Sequence, residues 1–148
     1  MTFRHIRSDE LEALLTLYRF LHSEDPKIDF TDHSVITLWN SIIENPLLRY
    51  YVAEIDNQLV STCTLTIIPN LTRGLRPYGL IENVVTNPHF RKKGYATQLL
   101  RLALAEAWNE GCYKVMLATG SKQEDTLRFY ERAGFLRGVK TDFIAYPE

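Results

Sequence analysis

The sequence predicts an α/β fold: a mixed central β-sheet with helices on both faces, in the order β-α-α-β-β-β-α-β-α-β. Two amphipathic helical stripes come first, a run of strand-like segments follows, and helix and strand alternate from Ala96 onward. No Gly/Ser linker, internal repeat or low-complexity tract interrupts the 148 residues, so one domain spanning 1–148 is expected.

Thr2 to Arg7 forms a short first strand in this reading. Leu11, Leu14, Leu15 and Tyr18 then recur at i, i+3, i+4 and i+7, a helical stripe starting after Ser8 or Asp9. Ser23-Glu24-Asp25-Pro26 ends it. A second helix runs from Thr31 or Asp32, with Val35, Leu38, Trp39, Ile42 and Ile43 inward, and stops before Asn45-Pro46. Arg49 to Ile55 and Leu59 to Ile68 read as antiparallel strands joined by a tight turn at Asp56-Asn57. After a loop from Pro69 to Pro77, Tyr78 to Thr86 is another strand, closed by Asn87-Pro88. Ala96, Leu99, Leu100, Ala103, Ala107 and Trp108 mark a long helix with its stop at Asn109-Glu110-Gly111. Tyr113 to Thr119 has the apolar centre of a strand covered on both faces. Ser121-Lys122-Gln123-Glu124 has capping-box spacing, so a helix should run from there to Ala133 and end at Gly134. Val139 to Tyr146 reads as a last strand.

Composition narrows the function. Apolar residues make up 45% and charged residues 24%, enough for a real core, and the formal net charge is -1. No global field or single-sign run calls for nucleic acid or an acidic membrane. Cys63 and Cys112 sit singly among apolar residues and read as reduced, buried thiols. His5, His22, His33 and His89 are dispersed without ligand spacing, so no metal is expected. The start lacks a signal pattern and no stretch is long enough for a membrane span, which points to a cytoplasmic protein.

The most informative segment runs from Ile81 to Thr97, where a strand ends, a basic turn follows and a helix opens at a glycine. Such a turn leaves backbone N–H groups unpaired at the positive end of a helix dipole, a site for pyrophosphate. Gly94 and Ala96 keep larger side chains away from the backbone, and Arg91, Lys92 and Lys93 add positive charge. On spacing alone, a solvated basic turn explains the segment equally well. It is neither a Walker loop nor a Rossmann fingerprint.

Arg91-Lys92-Lys93-Gly94-Tyr95-Ala96 resembles the Q/R-x-x-G-x-G/A signature of the GNAT superfamily of acetyl-CoA-dependent N-acetyltransferases. Val84-Val85 and Asn87-Pro88 ahead of it are similar to that family, and Phe129-Tyr130-Glu131-Arg132-Ala133-Gly134-Phe135 resembles its late F-Y-x-x-x-G-F helix motif. The element order is also GNAT-like along nearly the whole chain. The resemblance implies that Val84, Val85 and Thr86 bind the pantetheine arm of acetyl-CoA as an added strand. It implies that Arg91, Lys92, Lys93, Gly94, Tyr95, Ala96 and Thr97 surround the pyrophosphate. It also implies that neighbouring strands splay there, so that the N–H of Val84 or Val85 polarises the thioester carbonyl. Gln123 stands where family members often carry a cofactor-contacting asparagine.

Acetyl transfer needs a neutral amine, and primary amines, with a pKa of roughly 10, are mostly protonated at neutral pH. A base must take that proton, directly or through water. The departing thiolate, of conjugate pKa about 8.5, can be met by a tyrosine hydroxyl. By position in the late motif, Tyr130 is the candidate acid and cofactor contact; core packing is its other reading. Glu82, two residues before Val84, is the candidate base, with a solvated strand carboxylate or a water chain as alternatives. Arg73 and Arg76 could meet an anionic acceptor, and Trp39, Tyr50 and Tyr51 could line the acceptor pocket; a solvated loop and a packed core explain them as well.

The function expected is transfer of acetyl from acetyl-CoA to a primary amine of a small metabolite. A protein or peptide amine, a non-catalytic CoA-binding sensor and a nucleotide-binding module stay open as alternatives. The expected partners are acetyl-CoA and an amine, without nucleic acid or membrane, and the final strand can pair across a homodimer.

Overall fold

The computed structural model describes residues 1–148. The elements are β1 (Thr2–His5), a 3-10 turn (Ser8–Glu10), α1 (Leu11–Tyr18), α2 (His33–Glu44), β2 (Leu48–Ile55), β3 (Gln58–Ile68) and β4 (Tyr78–Thr86). A second 3-10 turn (Pro88–Phe90), α3 (Tyr95–Asn109), β5 (Val115–Met116) and α4 (Glu124–Arg132) complete the chain. The sheet runs β1-β2-β3-β4-β5 in spatial order. The first four strands are antiparallel, and β5 lies parallel to β4.

Local chemistry accounts for the elements. Asp56 and Asn57 both take positive φ, 49° and 62°, the two-residue turn whose twist matches the flanking strands β2 and β3. Asp32 caps α2 by accepting from the Ser34 N–H at 2.8 Å, satisfying one of the unpaired donors of its first turn. The helices then bury one stripe each. Leu99, Leu100, Ala103 and Ala107 of α3 pack on Tyr51, Cys63, Leu65 and Ile81 of the sheet, with Phe129 and Tyr130 of α4 joining that face. On the opposite face Leu17 of α1 packs on Val52, Leu59 and Val85. Trp39 anchors α2 edge-on to Tyr50 at 5.8 Å, and its Nε1 donates to the Ser8 carbonyl at 2.7 Å.

Two irregularities position the site. Between β3 and β4 the register steps from Thr62↔Val85 to Thr64↔Glu82, so Asn83 and Val84 together oppose Cys63. Asn83 takes φ 53°, and this bulge turns the strand's side chains about. The second lies between β4 and β5, which pair only at Gly79↔Val115 and Leu80↔Met116. A Cβ on Gly79 would stand 2.9 Å from Leu65 Cδ1 and 3.0 Å from Val115 Cγ2, so glycine lets the strands close there. Past Leu80 they part, and the edge of β4 from Ile81 to Thr86 faces an opening.

Four expectations need correction. The strand expected over Tyr113–Thr119 shortens to Val115–Met116, because β4 stays beside it for only two residue pairs. The strand expected over Val139–Tyr146 does not form; a strand exists only as half of a pair, and nothing pairs with this one. Its apolar side chains are left in solvent, Phe143 at 94% exposure. Leu38 of α2 points outward at 62% exposure, since Trp39 alone is buried along that helix. The capping box at Ser121 is absent: Ser121 Oγ accepts from the Gln123 N–H at 3.3 Å, the helix starts at Glu124, and the Glu124 carboxylate goes instead to Arg128 and Arg137.

Candidate active site

The turn at the start of α3 is a ring of donors. Asn87 accepts from the His89 N–H at 3.1 Å, which bends the chain out of β4, and the Arg91 N–H closes the turn on Pro88 at 3.4 Å. Beyond it, the N–H groups of Lys92, Lys93, Gly94, Tyr95, Ala96 and Thr97 donate to no other backbone group; the Gln98 N–H is the next to find a partner, Gly94 O at 3.0 Å. No side chain caps them. Gly94 is held at φ 83°, and a Cβ there would meet no atom within 4 Å, so the space before the donors is open. Lys92 takes φ 60°, the left-handed region, as the turn into Gly94 requires. Arg91 folds back to donate from Nε to the Thr86 carbonyl at 3.2 Å, and the Lys93 ammonium lies 5.2 Å from the Phe90 ring centroid, leaving Lys92 free at the rim. Unpaired donors, the helix dipole and three cations together make an anion cradle.

The free edge of β4 continues from this cradle. Val84 and Val85 lie on it just past the bulge, with Val85 buried, and Thr86 Oγ1 shares a 2.8 Å hydrogen bond with Ser61 Oγ. Tyr130 of α4 stands on the face that Val84 joins, opposite Val85, its ring tilted on Phe129 at 4.8 Å and edge-on to Phe135 at 6.4 Å. The packing fixes the ring while its hydroxyl makes no hydrogen bond. Burial, then the neighbouring Cys63 and Glu82, push the Tyr130 pKa up, so the phenol keeps its proton through neutral pH. Glu82 is exposed on β4, close enough for its charge to be felt by Tyr130. Gln123 is the N-cap of α4, exposed, and its side chain caps nothing.

On the other face of the sheet, α1 and the segment after it roof a cavity of about 470 Å³. Tyr18, Arg19, His22, Lys27 and Phe30 line it, and Asn83 of the bulge is its only contribution from the sheet. Arg19, His22 and Lys27 have no ion-pair partner. The bulge therefore stands between an anion cradle with its strand edge on one side and a cavity on the other.

Residues 11–135 match the family described as Acetyltransferase (GNAT) family. This chain belongs to the GNAT acetyltransferases. It is 38% identical over 87 residues to a glucosamine 6-phosphate N-acetyltransferase of Trypanosoma brucei brucei, a match covering 59% of this chain and 57% of that protein. The chain spans less than two thirds of the length of the curated relatives it matches. Its fold superposes with a TM-score of 0.92 on a structure described as "Putative acetyltransferase from Agrobacterium tumefaciens", at 37% identity and covering 99% of this chain and 100% of that one. An aminoglycoside N-acetyltransferase in complex with CoA shares the fold at a TM-score of 0.75 and 18% identity, covering 99% of each chain.

Within this GNAT fold, some residues singled out in the sequence fall away from the site. Arg76 donates to the carbonyls of Gly111 and Cys112, both at 3.2 Å, and the Arg73 guanidinium lies 5.9 Å from the Tyr113 ring, at the far end of the sheet. Trp39 and Tyr50 pack on one another, and Tyr51 faces α3, where its hydroxyl donates to Glu106 at 2.6 Å; none of the three lines the cavity. His5 shares a 2.9 Å hydrogen bond with Glu106, while His22 lines the cavity. Both cysteines are buried and free, and burial pushes the Cys63 thiol up to about 12, so it stays a thiol. The sequence reading missed Asn83 and Tyr18. An asparagine at positive φ inside a strand is a bulge signal, but only the β3–β4 register reveals that the bulge is there.

Proposed function

We propose that this protein transfers the acetyl group of acetyl-CoA to a primary amine of a small metabolite, by direct attack of the amine on the thioester. The observation that carries the reading is the run of unpaired N–H groups from Lys92 to Thr97 leading into the free edge of β4 and ending beside Tyr130. An aminoglycoside N-acetyltransferase of the same fold is described in complex with CoA, which supports CoA as the ligand to test. In this reading Lys92 to Thr97, with Arg91, hold the pyrophosphate, and Val84, Val85 and Thr86 hydrogen-bond the pantetheine arm. Gln123 stands at its flank. The N–H of Val84 or Val85 at the bulge polarises the thioester carbonyl, worth about 3–4 kcal/mol of barrier for one such donor. Glu82 removes the amine's proton, directly or through water, as the C–N bond forms. When the C–S bond breaks, Tyr130 donates its proton or a hydrogen bond to the leaving thiolate.

The partly open cavity under the segment after α1, about 470 Å³, is of a size that supports a small acceptor. Its lining carries both signs, Arg19 and Lys27 beside Glu12 and Asp25, and the relative named for glucosamine 6-phosphate supports a phosphorylated amino sugar as the first class to test. The test is thiol release from acetyl-CoA against a panel of amino sugars, their phosphates, polyamines, amino acids and peptides. Release with a small amine is the expected result. CoA binding with no release against any amine would leave a sensor module, and release only with peptides would move the acceptor to protein.

The protein is further proposed to work in the cytoplasm as a homodimer. The unformed strand supports the second part: Val139, Phe143, Ile144 and Tyr146 are apolar and exposed, and β5 has no neighbour on its outer edge. A second copy offers each what it lacks.

A further inference from the structure

The Tyr18 hydroxyl is buried and has no hydrogen-bond partner, and it is the only buried side-chain polar atom of which this is true. Burying a phenol without a partner is costly, and nothing in the folding of α1 demands it, since a phenylalanine would fill the same space. Tyr18 is the last residue of α1, and its ring lines the cavity that Asn83 also lines. The Asn83 amide lies near enough to pull the Tyr18 pKa down against burial, which raises it, yet no hydrogen bond of acceptable geometry joins them. Asn83 is held at φ 53° between Glu82 and Val84, on the bulge where the proposed thioester site meets the cavity. The hydroxyl and the Asn83 side chain thus lie close together without completing a bond, an arrangement that can tighten once a substrate is present.

We propose that Tyr18 is the acceptor-orienting residue of this site: its hydroxyl, together with the Asn83 amide, hydrogen-bonds a hydroxyl group of the acceptor and so aims the neighbouring amine at the bulge. The proposal rests on the acetyltransferase reading above. It selects hydroxyl-bearing amines, because a phenol and an amide both donate and accept without charge, whereas a cation would call for a carboxylate. A site built to bond a hydroxyl also rejects analogues that lack one.

The test uses Tyr18→Phe and Asn83→Gly, the latter keeping a residue at ease with positive φ. Each is measured for melting temperature without ligand, for acetyl-CoA binding by calorimetry, and for steady-state kinetics with glucosamine 6-phosphate or whichever panel amine the wild type acetylates. Tyr18→Phe should melt above the wild type, bind acetyl-CoA unchanged, and raise the acceptor KM by about 3- to 10-fold, the loss of one hydrogen bond. Asn83→Gly should raise the same KM. A Tyr18→Phe melting point below the wild type would show that the hydroxyl is satisfied by the fold itself, and an unchanged acceptor KM would show that no substrate touches it; either overturns the proposal. If acetyl-CoA binds but no amine is acetylated, the acetyltransferase reading fails, and the melting point still decides whether the fold satisfies Tyr18.

Discussion

Replacing Gly94 with alanine separates the backbone demand of the α3 turn from its use as an anion cradle. Gly94 sits at φ 83°, and a Cβ built there meets no heavy atom within 4 Å. The cost to the folded protein is therefore conformational, about 1–2 kcal/mol for an L-residue in the left-handed region. For a chain of 148 residues that lowers the melting temperature by about 3–6 °C. Gly111, at the other end of α3, has φ 79° and surroundings just as open, so Gly111→Ala should cost the same. The two variants differ in what the new methyl faces. At Gly94 it projects into the open space of the turn that carries the unpaired N–H groups of Lys92 to Thr97, where it would crowd a bound phosphate. Losing one hydrogen bond to a charged phosphate costs about 1.5–3 kcal/mol, or about 10- to 150-fold in Kd. Thermal melting and calorimetric titration with CoA should therefore show matched stability losses and weakened CoA binding in Gly94→Ala alone. Equal CoA affinity in the two variants would refute the cradle.

Other expectations follow from the same geometry. Tyr130→Phe keeps the packing against Phe129 and Phe135 and should lower kcat at saturating acetyl-CoA by about 100-fold; unchanged turnover would remove Tyr130 from the chemistry. Because the Tyr130 pKa is raised, its proton is retained below its ordinary value of about 10 and lost only above it, so the wild-type rate should not fall on this group's account until pH exceeds about 10. Glu82→Gln should shift or abolish the acidic limb of the pH profile of kcat/KM, and an unmoved limb would leave the proton to a water chain. Truncation after Arg137 removes the exposed apolar tail and should convert a dimer into a monomer in sedimentation equilibrium; an unaltered mass would place any interface elsewhere.

What could be read from the sequence was what depends on neighbours along the chain. Asp56-Asn57 announced its turn because both residues tolerate positive φ, and Tyr78 to Thr86 became a strand over the expected residues. Gly94 could be placed at a helix start because its demand is local. The features that escaped depend on partners distant in sequence. Tyr113–Thr119 has the apolar content of a strand, but its paired length is set by where β4 turns away. Val139–Tyr146 carries the β-branched and aromatic residues of a strand without saying which edge would receive it. Tyr18 looked like one more residue of a helical stripe; that its hydroxyl stays unpaired beside Asn83 follows from the β3–β4 bulge, which no residue spacing encodes. Likewise Arg73 and Arg76 sat near the cofactor strand in sequence but at the opposite end of it in space.

Hydrogen exchange across Lys92 to Thr97, followed with and without CoA, tests the central claim most directly. These N–H groups have no partner in the protein, so they should exchange rapidly alone and slow markedly when CoA is added, together with Val84 to Thr86. CoA binding that leaves the exchange of Lys92 to Thr97 unaltered would contradict the account.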